Sequence, residues 1–121
     1  MTTKPAYKGP LKTIEYLVAD DGSCAVEAFV EALERGDRKK VDVLFEMMGL
    51  KGRISNKEKF KKLEGSDNIW EFKSFQIRLL CFMAPGNKVI ICRAQIKKKA
   101  RHDRADIEFA EACRKKYLGE S

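Results

Sequence analysis

Read from the N-terminus, the apolar positions recur first at every second residue and then at every third or fourth. They return to every second and close at helical spacing. Residues 11–18 carry Ile14, Tyr16 and Val18 on one side of an expected strand, which Asp20-Asp21-Gly22 turns. Ser23 is the expected cap of a first helix with Val26, Phe29, Val30 and Leu33 on one stripe, ended by Gly36. Asp37 then caps a second helix, with Val41, Leu44, Phe45 and Met48 on its stripe, and Gly49 stops it. So short a join makes the two an antiparallel hairpin. Its narrow apolar stripes must pack against a sheet.

Residues 1–9, with Pro5 and Gly9, read as a loose arm, and residues 51–68 show no periodicity before the turn signal Gly65-Ser66-Asp67-Asn68. Strands are expected over 69–73, with Trp70 and Phe72 facing the core, and over 75–83, with Phe75, Ile77, Leu79, Cys81 and Met83 together. Ala84-Pro85-Gly86-Asn87 makes a hairpin to a strand over 88–97. A helix capped by Asp103 follows, with Ile107, Ala110, Cys113 and Tyr117 on its buried line. The reading is one α+β domain over residues 1–121. An N-terminal strand and a helical hairpin pack on a small, mainly antiparallel twisted sheet, and a helix closes the chain.

Charge changes this picture. Residues 1–50 hold seven Lys/Arg against nine Asp/Glu, whereas residues 51–121 hold 18 against nine, so the net +7 comes entirely from the second half. Such a surplus points to a polyanionic partner. No run approaches the roughly 18 apolar residues of a membrane helix, and the first residues lack the apolar core of a signal peptide, so a cytoplasmic protein without membrane contact is expected. The cysteines Cys24, Cys81, Cys92 and Cys113 include no C-x-x-C pair and the chain has one histidine, so neither a metal site nor a disulfide is expected, nor any cofactor.

Alternation sorts the late strands onto two faces. Ile90, Cys92, Ala94 and Ile96 form one expected line of the last strand, opposite Val89, Ile91, Arg93, Gln95 and Lys97. One sheet face should carry the helices, and the other should gather Glu71, Lys73, Gln76, Arg78, Arg93, Gln95 and Lys97. Four cations against one carboxylate, beside Lys98, Lys99 and Arg101, make this a candidate surface for RNA or DNA. Arg53, Lys57, Lys59, Lys61 and Lys62 extend it as contacts to backbone phosphate. A solvated sheet face would also be polar, though with mixed sign.

From Ile14 to Tyr117 the order of elements and motifs resembles the RelE/ParE toxin superfamily, in particular its HigB-like, phage-derived branch. Lys62-Leu63-Glu64-Gly65 with Ile69-Trp70-Glu71-Phe72-Lys73 resembles its "K-L, then L-W-E-L-R" segment. Ile77-Arg78-Leu79-Leu80-Cys81-Phe82 is similar to its "Y-R-x-x-Y-F" strand, and Ala94-Gln95-Ile96-Lys97-Lys98-Lys99 to its "G-F-x-K-K-T" run. Ile107-Glu108-x-Ala110 resembles the opening of its last helix. The sequence departs from the family at Lys73, usually arginine, at Gln95, usually aromatic, and at His102-Asp103, often Thr-Pro.

The resemblance implies the toxin of a type II toxin–antitoxin pair, a metal-independent endoribonuclease that cuts mRNA on the ribosome and is restrained by a cognate antitoxin. A non-enzymatic, ParE-like inhibitor of gyrase is the alternative, as is a decayed phage homologue that only binds nucleic acid or antitoxin. Metal-free RNA cleavage needs a base for the 2′-hydroxyl, cations around the phosphorane and an acid for the leaving oxygen. Arg78 and Lys97 are the candidate cations, with Arg93 and Lys73 beside them. His102, the one side chain of near-neutral intrinsic pKa, and Glu71 are the candidate acid or base. For His102 the plainer reading is a surface residue before a helix, and for Glu71 a salt bridge to Lys73 or Arg78.

Overall fold

The computed structural model describes residues 1–97 and 102–119. These form β1 (Thr2–Lys8), β2 (Thr13–Val18), α1 (Ala25–Glu31), α2 (Arg35–Lys51), β3 (Phe60–Lys62), β4 (Trp70–Ser74), β5 (Ile77–Ala84), β6 (Lys88–Ile96) and α3 (Arg104–Leu118). The strands make one sheet in the order β1-β2-β6-β5-β4-β3, antiparallel throughout except for β2 against β6. The result is the expected α+β architecture with a closing helix.

Apolar side chains cover both sides of the sheet, because helices lie on both. Val26, Val30, Val41, Leu44, Phe45 and Met48 of α1 and α2 pack on Ile14, Phe72, Leu79, Cys81, Val89 and Ile91. Ala110 and Cys113 of α3, with Ile107 and Tyr117, pack on Leu80, Phe82, Ile90 and Cys92 on the other side. β5 and β6 are therefore apolar at consecutive residues rather than alternating ones. This corrects the expectation that one face carries all the helices.

A register shift corrects the face assignment of β6. Leu80 pairs with Arg93 and Cys81 with Ile91, which leaves Cys92 as the extra residue of a β-bulge. Before the bulge, Val89 and Ile91 face α1 and α2, and Ile90 faces α3. Beyond it, Ala94 packs on the α1/α2 side, while Arg93 contacts α3. The expected apolar line through Ile90, Cys92, Ala94 and Ile96 does not exist.

Three local expectations are also corrected. Residues 1–9 are not a loose arm: β1 pairs with β2 along its length, with an irregularity between Pro5 and Tyr7. Proline is tolerated there because β1 is an edge strand. The Thr3 hydroxyl donates to the Glu15 carboxylate at 2.6 Å and ties the strands further. The helix boundaries shift as well. α1 stops at Glu31, so Gly36 and Asp37 lie inside α2, whose extended N-cap is Glu34, and α1 begins after Cys24 rather than Ser23. Gly49 sits within α2, which ends at Gly52 with φ 77°. Finally, Phe75 is no core residue: it occupies the two-residue turn between Ser74 and Ile77, with φ 54° and 74% exposure.

Gly49 marks a close approach rather than a helix stop. A Cβ there would lie 2.5 Å from the Tyr7 ring and 3.2 Å from the Gly9 Cα. Its carbonyl accepts the Leu11 and Lys12 N–H groups at 3.0 and 3.2 Å. Gly49→Ala should therefore force β1 away from α2. We expect a loss of about 1–3 kcal/mol in urea denaturation with the fold retained; an unchanged midpoint would show that the contact yields freely.

Candidate nucleic-acid interface and acid–base pair

Cross-strand partners share a face in an antiparallel ladder. Lys61 stands opposite Glu71, Glu71 opposite Leu80 and Leu80 opposite Arg93, which makes one row. The next row runs Lys73, Arg78, Gln95. Both rows lie on the α3 side of the sheet, and α3 covers Leu80 of the first. The bulge at Cys92 is what brings Arg93 and Gln95 there.

Arg93 connects this surface to the helix. Its guanidinium pairs with Asp106 of the first turn of α3 at 3.0 Å and lies over the Phe109 ring, 4.6 Å from its centroid. That clamp fixes the start of α3. His102, just before it, is thereby set over Glu71 and Gln95.

The imidazole is buried, with 4% of its side chain exposed, and so is Glu71, with 2%. Nε2–H of His102 donates to the Glu71 carboxylate. On the other side, the Gln95 amide N–H donates to His102 Nδ1 at 2.8 Å. When the imidazole is neutral, this arrangement puts the hydrogen on Nε2 and leaves Nδ1 as the acceptor. Burial pushes the Glu71 carboxyl up, but the His102 hydrogen bond and charge, with Arg78 and Lys61, outweigh it and hold the pKa below its ordinary 4.5. The hydrogen-bond partner of Glu71 is thus His102, not Lys73 or Arg78, and His102 is no surface residue.

Arg78 Nη1 donates to the carbonyls of Phe75 and Ile77, the latter at 3.0 Å, which fixes the guanidinium at the end of the sheet. The Lys97 N–H donates to the Gln76 carbonyl at 2.7 Å and so continues the ladder past β6. Its ammonium has a pKa below the usual 10.5, first because of burial and then through repulsion by Arg78, Lys61 and Lys73, which outweigh the attraction of Glu71. Lys61, Lys73, Arg78 and Lys97 therefore share one electrostatic field around the Glu71–His102 pair.

The loop cations do not gather as a single patch. Lys62 pairs with Trp70 on the opposite sheet face from Lys61. Lys57 is exposed ahead of β3. Arg53 lines a small cleft with Met47 and Asn56, which Lys59 also borders. Gln76 is in the turn rather than on the strand face. Lys98, Lys99 and Arg101 lie outside the described residues. Sequence reasoning did not find Gln95 as the partner of His102, nor Asp106 and Phe109 as the anchors of Arg93. Only the acidic first turn of α3 hinted at the second.

Among the described residues, no group of three His, Cys, Asp or Glu side chains is placed to hold a metal ion, and no helix is long and apolar enough to cross a membrane.

Fold and face together define a small basic α+β protein with a carboxylate–imidazole pair set in a cationic sheet surface. Residues 28–115 match the family described as phage derived protein Gp49-like (DUF891). The chain belongs to this family, which is one of RelE-like toxins. No curated protein matches it. Among solved structures it is similar to a chain of the RelB–RelE antitoxin–toxin complex from Methanococcus jannaschii, with TM-score 0.49 and 18% identity over 66% of this chain and 88% of that one.

The Glu71 pKa has a consequence for stability. Glu71 holds a proton less tightly folded than unfolded, so its contribution is complete above the ordinary carboxylate value of 4.5 and is lost as pH falls below it toward the folded value. Glu71→Gln should cost about 1–3 kcal/mol at neutral pH and flatten the decline in unfolding free energy below pH 4.5. Urea titrations across that range check both, and a parallel acid decline in the variant would refute the assignment.

Proposed function

We propose that the protein is the toxin of a toxin–antitoxin pair, a metal-independent endoribonuclease that cuts mRNA on the cytoplasmic ribosome. The observation that carries this reading is the Glu71–His102–Gln95 chain inside a ring of Lys61, Lys73, Arg78 and Lys97. Membership of a family of RelE-like toxins supports the class, and with it a cognate antitoxin as partner.

His102 is the base. Its Nδ1 already accepts a hydrogen bond from Gln95, and an RNA 2′-hydroxyl that displaces the amide would meet the same lone pair. The 2′-hydroxyl proton passes to Nδ1 and the 2′-oxygen bonds to the adjacent phosphorus. The bond from phosphorus to the 5′-oxygen then breaks. Glu71 holds the imidazolium that forms. Arg78, with Lys61 and Lys73, carries the charge building on the phosphorane oxygens. Lys97, made more acidic by burial and then by its cationic neighbours, gives its proton to the leaving 5′-oxygen. The products are a 2′,3′-cyclic phosphate and a 5′-hydroxyl.

Tightly induced expression in a bacterial host, with mRNA 5′ ends mapped, tests this. Wild type should arrest growth with new ends inside translated codons, and Arg78→Ala/Lys97→Ala should abolish both effects. Arrest with intact mRNA would instead favour a ParE-like inhibitor. The assignment of the acid has its own test. Wild-type cleavage should fall as pH rises toward lysine's ordinary 10.5, beginning below it. Lys97→Arg, which keeps the charge but holds its proton, should be slower by about 100-fold or more without that alkaline limb. A limb that survives in Lys97→Arg would move the acid elsewhere.

A further inference from the structure

On the opposite side of the sheet, α2 and the β4–β5 turn enclose a second feature that the acid–base site does not use. It is an open cleft of about 630 Å³ between the first half of α2 and the edge formed by β3 and β4. Val43, Leu44 and the Phe75 ring supply its apolar lining. Lys39 and Lys40 border it from the helix, and Lys59 and Lys73 from the sheet edge, with Glu58 the one carboxylate among the lining residues.

Several lining residues cost the fold more than their visible contacts return to it. Phe75 has φ 54°, a conformation that disfavours a bulky side chain, and its ring is 74% exposed. Asparagine or glycine would suit that turn position better. Gly36 lies inside α2, where glycine is less favourable than alanine, yet a Cβ there would meet nothing within 4 Å. Val43 leaves 49% of its surface in water on the same helix face. Lys40 braces the ring, its Nζ 4.1 Å from the Phe75 centroid. An exposed aromatic held by a lysine, a helix position kept free of side chain and an apolar floor make sense together as a surface that another chain covers.

From this we infer that the cleft receives an acidic amphipathic helix of a partner protein. Its apolar side chains enter between Val43 and Phe75, its backbone passes over Gly36, and its carboxylates meet Lys39, Lys40 and Lys59. Charge selects this occupant. A second copy of the chain, at net +7, would bring cations against cations. An RNA strand would find lysines at the rim but an apolar floor, with one face of the aromatic ring already taken by Lys40. The inference rests on the toxin–antitoxin reading only for the partner's identity, the antitoxin. The surface is read independently of any RNA chemistry.

The probe is a synthetic helical peptide with leucines at i, i+3, i+4 and i+7 and glutamates elsewhere, against a control of the same composition without that spacing. Fluorescence anisotropy measures affinity, and amide chemical-shift mapping locates the contact. The amphipathic peptide should bind the full chain, shifting Gly36, Val43 and Phe75, while the control binds at least about 10-fold more weakly. Gly36→Leu and Phe75→Asn should each weaken binding by about 10-fold while keeping or raising the melting temperature, because a Cβ at Gly36 meets open space and relief of the positive φ at Phe75 offsets loss of the exposed Lys40 contact. Arg78→Ala/Lys97→Ala should bind the peptide like wild type, which separates this inference from the nuclease reading. Equal binding of both peptides, shifts confined to the Arg78 face, or a melting temperature lowered by Phe75→Asn would overturn it. So would a single-stranded RNA oligonucleotide that shifts Gly36 and Val43, or a concentration-dependent dimer lost in Gly36→Leu.

Discussion

One extra residue in β6 decides which groups meet on the α3 side of the sheet. Before Cys92, β6 buries alternate side chains under α1/α2 and under α3, as a central strand must when both faces are covered. Had the alternation run on unbroken, Arg93 and Gln95 would have followed Val89 and Ile91 under the α1/α2 layer. There a buried guanidinium and a carboxamide would have lacked partners. The bulge advances the phase by one, so Arg93 finds Asp106 and Gln95 finds His102. Ala94, small and apolar, takes the α1/α2 side instead. Bulges are found beside functional sites because they re-aim side chains without unmaking the ladder.

The position of α3 follows from the same shift. Its apolar line covers Leu80, Phe82, Ile90 and Cys92, while the Arg93–Asp106 pair and the contact of Arg93 with Phe109 anchor its first turn. The residues just ahead of the helix are then held over the polar rows of the sheet. His102 fits between a carboxylate and an amide, and among the described residues no buried side-chain polar atom is left without a partner. Bringing a carboxylate into this nearly dry position is costly by itself. The imidazole hydrogen bond, with Arg78 and Lys61, more than offsets that burial, and the net shift of the Glu71 pKa is downward.

Much of this was legible in the sequence. The 3.6-residue stripes of α2 and α3 and the alternation of β5 were enough to place those elements and most of their core residues. The acidic and basic members of the sheet face were grouped correctly through Glu71, Lys73, Arg78, Gln95 and Lys97. Their grouping needed the bulge, however, and nothing in a run such as Val89-Ile90-Ile91-Cys92 announces one, because every residue in it is apolar. β1 was hidden by Pro5, which an edge strand accepts. Gly49 misled as a helix stop because glycine also appears where a helix must be approached closely, here by Tyr7 and Gly9, whereas Gly36 stands in the first turn of α2 with open space around it. Burial of His102 could not be read at all, since it depends on where the first turn of α3 is anchored, a contact between residues 13 positions apart.

Lys73 joins the two surfaces of the molecule. It stands opposite Arg78 in the cationic row and contributes to the field at Lys97, yet it also lines the cleft beside α2. A lysine stem is long enough for its ammonium to serve either side of a sheet edge, which an arginine fork committed to one phosphate would do less freely. Carboxylates seated in the cleft would compete for that charge with a phosphate held at Arg78. Occupation of one surface would then lower the affinity of the other for an anion, and by linkage the reverse would hold equally. No movement of the sheet is required, only the choice of one side-chain ammonium between two anions. On this argument, lysine at position 73 would let the two proposed surfaces compete for one charge, which an arginine would do less freely.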